Sequence, residues 1–442
     1  MNKKSSNLLL FSSLMLMIFV LVACSNDSST DEETASGDGA GSESDLSADL
    51  QYWSSYNESE PQARVLLDAA DAFMEENPGV SIEFTFNGRD NSELLPTAIQ
   101  SGRDIHMYDA NAVNIINRFS NSNMNLNEFF EESYPTTEDT PLKDYISQPM
   151  IDLARDLGED ELFYVPMNPQ AFVFMYNKSI FDEAGVNEVP QTWEEFVAAG
   201  EKIIEAGYTP LTTDPNYSTG IFGYYLSSLK GEDWVFDLVE DETYEMWSDP
   251  AVLEAAKAIE ELADKGFYAD NVSTVQFPQA QQEFVIDENI AMYLNGTWMP
   301  GEVQDTVSED FEWGQFQFPT VEGGVNDNTH TAYSSYGIGV NQDNTNEEAE
   351  AAFNFAVFVN TGEWDQQMVD QAKALPIDTN NENPEALTDM AEIFENTEGN
   401  YVSQTAIATN SDNSQIIRSA FINLISGEST AEEFIAEIQD SN

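Results

Sequence analysis

An α/β architecture in two lobes is what this chain predicts, and three observations carry the prediction. Its 442 residues exceed what one hydrophobic core usually organises. Hydrophobic residues make up 41% and aromatic residues 12%, enough to fill packed cores. From Leu46 onward strand-like and helix-like segments alternate, a pattern that reads as largely parallel sheets covered by helices.

Each element has its own signal. Asp49 to Ser54, around Tyr52 and Trp53, reads as a first strand. Pro61 suits the first turn of a helix, and Val65, Leu66, Ala69, Ala70 and Phe73 then share one face. Asn77-Pro78-Gly79 stops that helix. Val80, Ile82, Phe84 and Phe86 alternate as the second strand. A helix around Leu94 to Ile99 ends at Gly102, and Asp104 to Asp109 reads as the third strand. Thr192-Trp193-Glu194-Glu195 is a capping box with Gly207 as its helix stop. Asp249-Pro250 opens a helix expected to bury Val252, Leu253, Ala256, Ile259 and Leu262. Glu347 to Val359 is another, with Ala349, Ala352, Phe353, Ala356 and Val359 inward.

Charge narrows the function. There are 15 basic and 81 acidic residues, a net of -66. Such a surface repels nucleic acid, whose binding needs cations against phosphates, and it disfavours anionic lipid. It reads as adaptation to a salty exterior, where molar salt shortens the screening length to about 3 Å. The only histidines, His106 and His330, belong to no ligand-spaced cluster, so no metal and no cofactor is expected. His106 reads as a packed strand residue.

The first 24 residues read as a secretory leader. Lys3 and Lys4 make a basic start, and Leu8 to Ala23 is an apolar run of about sixteen residues, shorter than a membrane span needs. Leu21-Val22-Ala23-Cys24 resembles the bacterial lipobox, which implies that Cys24 is lipidated. Cys24 is also the sole cysteine, so no internal disulfide can form. Residues 25–45, rich in Ser, Asp, Glu and Gly, cannot bury a core and read as a disordered acidic tether.

Three blocks carry a family resemblance. The first runs from Tyr164-Val165-Pro166 through Val173-Phe174-Met175-Tyr176-Asn177-Lys178 to Phe181, Ala184-Gly185, Pro190 and Thr192-Trp193-Glu194-Glu195-Phe196. The second is Phe284 followed by Ile290-Ala291-Met292-Tyr293-Leu294-Asn295-Gly296-Thr297-Trp298. The third is Phe73-Met74-Glu75-Glu76-Asn77-Pro78-Gly79-Val80. In this order they resemble the family 1 extracellular solute-binding proteins, the group that contains maltose-binding protein. Arg103 stands where that family usually has Pro, and Glu288-Asn289 replaces Gly-Lys. The resemblance implies a periplasmic-binding-protein-like type II fold whose hinge the chain crosses three times. The crossings are expected near Met167 to Gln170, Ala332 to Tyr336 and Pro376 to Asn380. The lobes are then 46–167 plus 337–378, and 168–336 plus 379–442.

The implied activity is non-catalytic: a monomeric, lipid-anchored extracellular protein binds a sugar or oligosaccharide and delivers it to the membrane subunits of an ABC importer. Open α/β sheets bind ligands beyond the carboxyl ends of their strands, which selects loops near Ser54, Asn87 and Tyr108. Among their residues, Tyr56, Asn57, Tyr108 and Asp109 suit a sugar, with carboxylates and amides for hydroxyls and ring faces for C–H faces. Trp53 joins them from the adjoining strand. The resemblance adds Gln170 past the first hinge, Tyr217, Tyr336 and Trp298, the last as a stacking face from the second lobe. Core packing is the alternative role for Trp53, Tyr108 and Trp298, and a helix cap for Asp109. A binding protein for a polyol or peptide, and a secreted glycoside hydrolase, are the alternative functions.

Overall fold

The long strands of this protein are the two that join its halves. The computed structural model describes residues 46–286, 289–401 and 412–441; Cys24, the leader, the tether of 25–45 and Glu288 lie outside the described residues. No helix among the described residues is long and apolar enough to cross a membrane.

Among the described residues nine strands form one sheet: β1 (Ala48–Ser54), β2 (Val80–Phe86), β3 (Met107–Asn111), β4 (Tyr164–Asn177), β5 (Thr209–Thr212), β6 (Ile290–Gly296), β7 (Trp313–Phe316), β8 (His330–Val340) and β9 (Gly399–Tyr401). Their order is β2-β1-β3-β8-β4-β6-β5, with β7 also on β4 and β9 also on β8. Parallel pairing holds for β1 with β2 and β3, and for β5 with β6. The expectation of largely parallel sheets fails at the centre. There β4 pairs antiparallel with β8, β6 and β7, and β8 pairs antiparallel with β3. The reason is that β4 and β8 run in opposite directions between the halves, so neither can be parallel to both its neighbours.

Two-residue periodicity explains how β4 organises one half. Phe172, Phe174 and Tyr176 point into one hydrophobic core, while Ala171, Val173 and Met175 point into another on the opposite face. Phe174 is fully buried and stacks on Phe316 at 4.8 Å, so truncation to Ala should cost about 3–5 kcal/mol. A separate core contains Leu50, Tyr52, Val65, Phe73, Val165 and Met167 together with Ile338, Phe353, Ala374 and Ile377. The chain therefore leaves this core between Met167 and Ala171 and re-enters it between Ala332 and Ile338. At the third passage Ala374 and Ile377 pack in it while Leu375 packs with Ala171 and Val173. A register shift in the β4–β8 ladder falls between Met167 and Pro169, where Asn168 has φ 48°.

The helices follow their signals closely. Helix Pro61–Glu76 buries the stripe expected of it. Helix Trp193–Ala206 has its capping box at Thr192 and a left-handed Gly207 at its end. Asp249 accepts from Ala251 N at the start of helix Pro250–Asp264, and Leu253 there is only half-buried. One boundary moves. The strand expected over Asp104 to Asp109 occupies Met107–Asn111, because side-chain amides claim the preceding carbonyls: Asn341 binds that of Ile105 and Asn344 that of His106. His106 itself is buried just ahead of the strand, its Nδ1 accepting from Gln51 N.

Candidate functional site

A cavity of about 910 Å³ lies between the two halves, with walls from both and a floor from the strands that join them. The parallel strands β1, β2 and β3 end at its rim, where Tyr56 and Arg89 follow the ends of β1 and β2 and Asn111 is the last residue of β3. Asn168 and Gln170 of β4 and Tyr333, Ser334 and Tyr336 of β8 form the floor. From the other side come Phe172, Tyr217 and Trp298.

The aromatic residues are held in two groups. Tyr56 stacks on Tyr336 with ring centroids 5.4 Å apart and 22° between planes, and Asn168 Nδ2 reaches the Tyr56 hydroxyl at 3.3 Å. Opposite them, Tyr217 lies 6.1 Å from Trp298 and 6.0 Å from Phe172. The indole of Trp298 sits directly over Gly296, the last residue of β6; a Cβ there would meet the ring at 2.1 Å. Glycine at 296 thus gives Trp298 its seat. Asp214, fully buried, supports the Tyr217 loop by accepting from Asn216 N at 2.7 Å and from the Tyr293 hydroxyl at 2.7 Å.

A polar network fixes the first wall. Asn57 donates from its backbone N to Glu60 Oε1 at 2.8 Å, and Glu60 Oε2 binds Arg89 at 2.8 Å. Arg89 also donates to the Ser55 carbonyl and lies 5.5 Å from the Tyr56 ring centroid. Beneath the wall Asp109 is fully buried and accepts from Ser55 N at 2.8 Å and from the Ser55 hydroxyl. Burial pushes its carboxyl above the ordinary carboxylate range, opposed by hydrogen bonds from Ser54, Ser55 and Tyr52.

Of the residues expected at the site, Tyr56, Gln170, Tyr217, Trp298 and Tyr336 line this one cavity. Four do not. Tyr108 is fully buried inside β3, its hydroxyl on Asn123, because the strand runs two residues further than expected. Asp109, one residue on, holds the β1 loop from below. Trp53 is buried in β1 with Arg103 against its ring, 5.2 Å from the centroid. Asn57 orients Glu60 rather than facing the cavity. Sequence reasoning missed Glu60, Arg118, Asn168, Phe172, Glu302 and Lys373, all in the lining. Glu302 had a usable signal, since it stands one helical turn after Trp298 in Met299–Glu302. Lys373 had none, being placed by the end of helix Gly362–Ala372.

A second cavity of about 1110 Å³ lies between that helix and residues 308–313 and 382–388. Eight carboxylates and only two lysines, Lys178 and Lys373, line it.

Comparison with known proteins gives the same architecture. Residues 57–366 match the model of the bacterial extracellular solute-binding protein family. The diacetylchitobiose binding protein NgcE of Streptomyces coelicolor is 26% identical over 166 residues, 36% of this chain and 34% of that protein. The multiple sugar-binding protein of Streptococcus mutans is 26% identical over 256 residues, 56% of this chain and 57% of that protein. The chain thus matches between a third and somewhat over half the length of these curated relatives. The solved structure of a chitin oligosaccharide binding protein superposes with a TM-score of 0.66 at 19% identity, covering 89% of this chain and 98% of that one. At that identity the likeness is one of fold.

Proposed function

The chain belongs to the bacterial extracellular solute-binding protein family, and from that premise we propose that it binds a sugar or oligosaccharide between its lobes and delivers it to an ABC importer. The observation carrying the sugar reading is the make-up of the cleft. Tyr217 and Trp298 on one side and Tyr333 and Tyr336 on the floor are half-buried and offer ring faces for the apolar faces of sugar rings, with the buried rings of Phe172 and Tyr56 behind them. Asn111, Asn168, Gln170 and Ser334 offer amides and a hydroxyl for sugar hydroxyls. The relatives whose names specify sugars support the same reading.

The lobes in this proposal are 46–167 plus 337–378 and 168–336 plus 379–442, hinged where the chain passes between cores. Sugar held by both walls favours the closed arrangement, because only there are both sets of contacts made. The importer's membrane subunits then recognise the closed outline. Binding, not turnover, is the activity, and the protein acts as a monomer. Cys24 carries a lipid anchor outside the cell, and the acidic segment 25–45, at about 5–6 Å × √n, spaces the domain roughly 25 Å from the membrane. The net charge of -66 is a salt adaptation.

A thermal-shift screen of mono- and oligosaccharides in molar NaCl tests the proposal. A ligand at 100 times its Kd should stabilise the native state by about 2.7 kcal/mol. A flat response across the whole panel would sink the sugar reading.

A further inference from the structure

We propose that the saccharide taken by this cleft is an anionic one, bearing a carboxylate or sulfate recognised by cations on the wall of the first lobe. The inference rests on the sugar-binding reading above and names its ligand class.

It comes from charge placement. With 15 basic and 81 acidic residues in the chain, a cavity drawn without bias would be overwhelmingly acidic. The groove beside helix Gly362–Ala372 is so, with its eight carboxylates against two lysines. The cleft inverts the balance: Arg89, Arg118 and Lys373 line it against only Glu60 and Glu302. A neutral sugar needs ring faces and hydrogen-bonding groups but gains little from three cations kept in a chain that has so few.

Their arrangement is also one-sided. Arg89 follows β2, Arg118 ends helix Ala112–Arg118, and Lys373 caps helix Gly362–Ala372, whose Met368 and Ala372 pack in the first core. The half-buried rings of Tyr217 and Trp298 stand on the other lobe. A sugar ring lying on those faces turns its substituents toward the cationic wall. Lys373 occupies a left-handed C-cap, φ 55°, where glycine is the unstrained choice; a cation is kept there at a conformational cost. Arg89 is held by the Ser55 carbonyl at 2.5 Å and Glu60 at 2.8 Å, yet its side chain remains 57% exposed, with donors of its fork uncommitted. That fork matches the paired oxygens of carboxylate or sulfate. In a chain so acidic, long-range attraction of an anion fails, and molar salt screens it beyond about 3 Å. Selectivity must then come from cations at the cleft wall: Arg118 is paired with Glu93 and Lys373 donates to the Asp370 carbonyl at 2.7 Å, but both side chains line the cavity with Arg89.

Isothermal titration of the purified protein in high salt, with matched ligand pairs, tests this. One pair is an oligogalacturonate and its methyl ester; the other is a sulfated disaccharide and its desulfated form. The charged member of at least one pair should bind ten-fold or more tightly than its neutral partner, and Arg118→Gln and Lys373→Gln should each shrink that ratio. The two pairs distinguish carboxylate from sulfate. Neutral members binding as well as or better than charged ones overturn the inference and leave the sugar reading standing. If no saccharide, charged or neutral, binds, the sugar reading falls and this inference with it.

Discussion

The interlobe cleft and the acidic groove are similar in volume, about 910 and 1110 Å³, and share one partition, the end of helix Gly362–Ala372. They differ in their walls. In the groove Tyr176, Phe181 and Phe311 are buried rings that serve the cores behind, Trp313 alone is half-buried among its rings, and the exposed groups are mostly carboxylates. In the cleft Tyr217, Trp298, Tyr333 and Tyr336 are half-buried, with faces still available, and amides and cations stand among them. Size alone would favour the groove. Wall chemistry favours the cleft, because binding a sugar needs open ring faces that have not been spent on the core.

The largest break in this comparison should come from Trp298→Ala. Removing the face should weaken saccharide binding by about 1–3 kcal/mol, roughly five- to 150-fold, read by calorimetry. Unchanged affinity would exclude Trp298 from the ligand. Gly296→Ala should follow close behind, since its Cβ would meet the indole at 2.1 Å and a rigid ring cannot swing aside cheaply. The expected result is a several-fold loss of affinity with a small drop in Tm; full affinity would mean the ring's position does not matter.

Asp365 sharpens the comparison at the partition itself. It is buried, and accepts from Ile377 N, Asp378 N and Asn381 Nδ2, tying the third passage between lobes to the helix. Burial pushes its carboxyl from 3.8 up to about 7 against the pull of those hydrogen bonds. Between those values the folded state holds a proton that the unfolded chain has released. Its stabilising contribution is therefore present at low pH and is lost as pH rises through about 7. Urea midpoints from pH 5 to 8 should fall more steeply for the natural protein than for Asp365→Asn, and parallel slopes would remove Asp365 as the cause. The smallest effect belongs to the groove: Asp310→Asn, on an exposed carboxylate of its rim, should leave saccharide affinity within about two-fold. A larger change would make the groove part of the binding event.

How much of this was legible differs between Trp298 and Tyr108. Trp298 follows a strand whose end is marked by Asn295-Gly296, so its place beyond the sheet could be read directly. Tyr108 sits in Met107–Asn111, a run whose alternation marks no end. The amides of Asn341 and Asn344 decide where that strand begins, from more than 230 residues away in the chain. Asn57 shows the same limit: its type suited a sugar, but Glu60 lies close enough to take both its donors.

By itself the sequence determined what local chemistry controls: the helices with their caps, the apolar stripes, the alternation along β2, and the overwhelming negative charge. Which aromatic residues keep a free face, which carboxylates lie under the cleft and not in it, and which few cations meet at one wall were decided only by tertiary structure. Those outcomes depend on contacts between segments distant in the chain, and nothing in a local pattern encodes them.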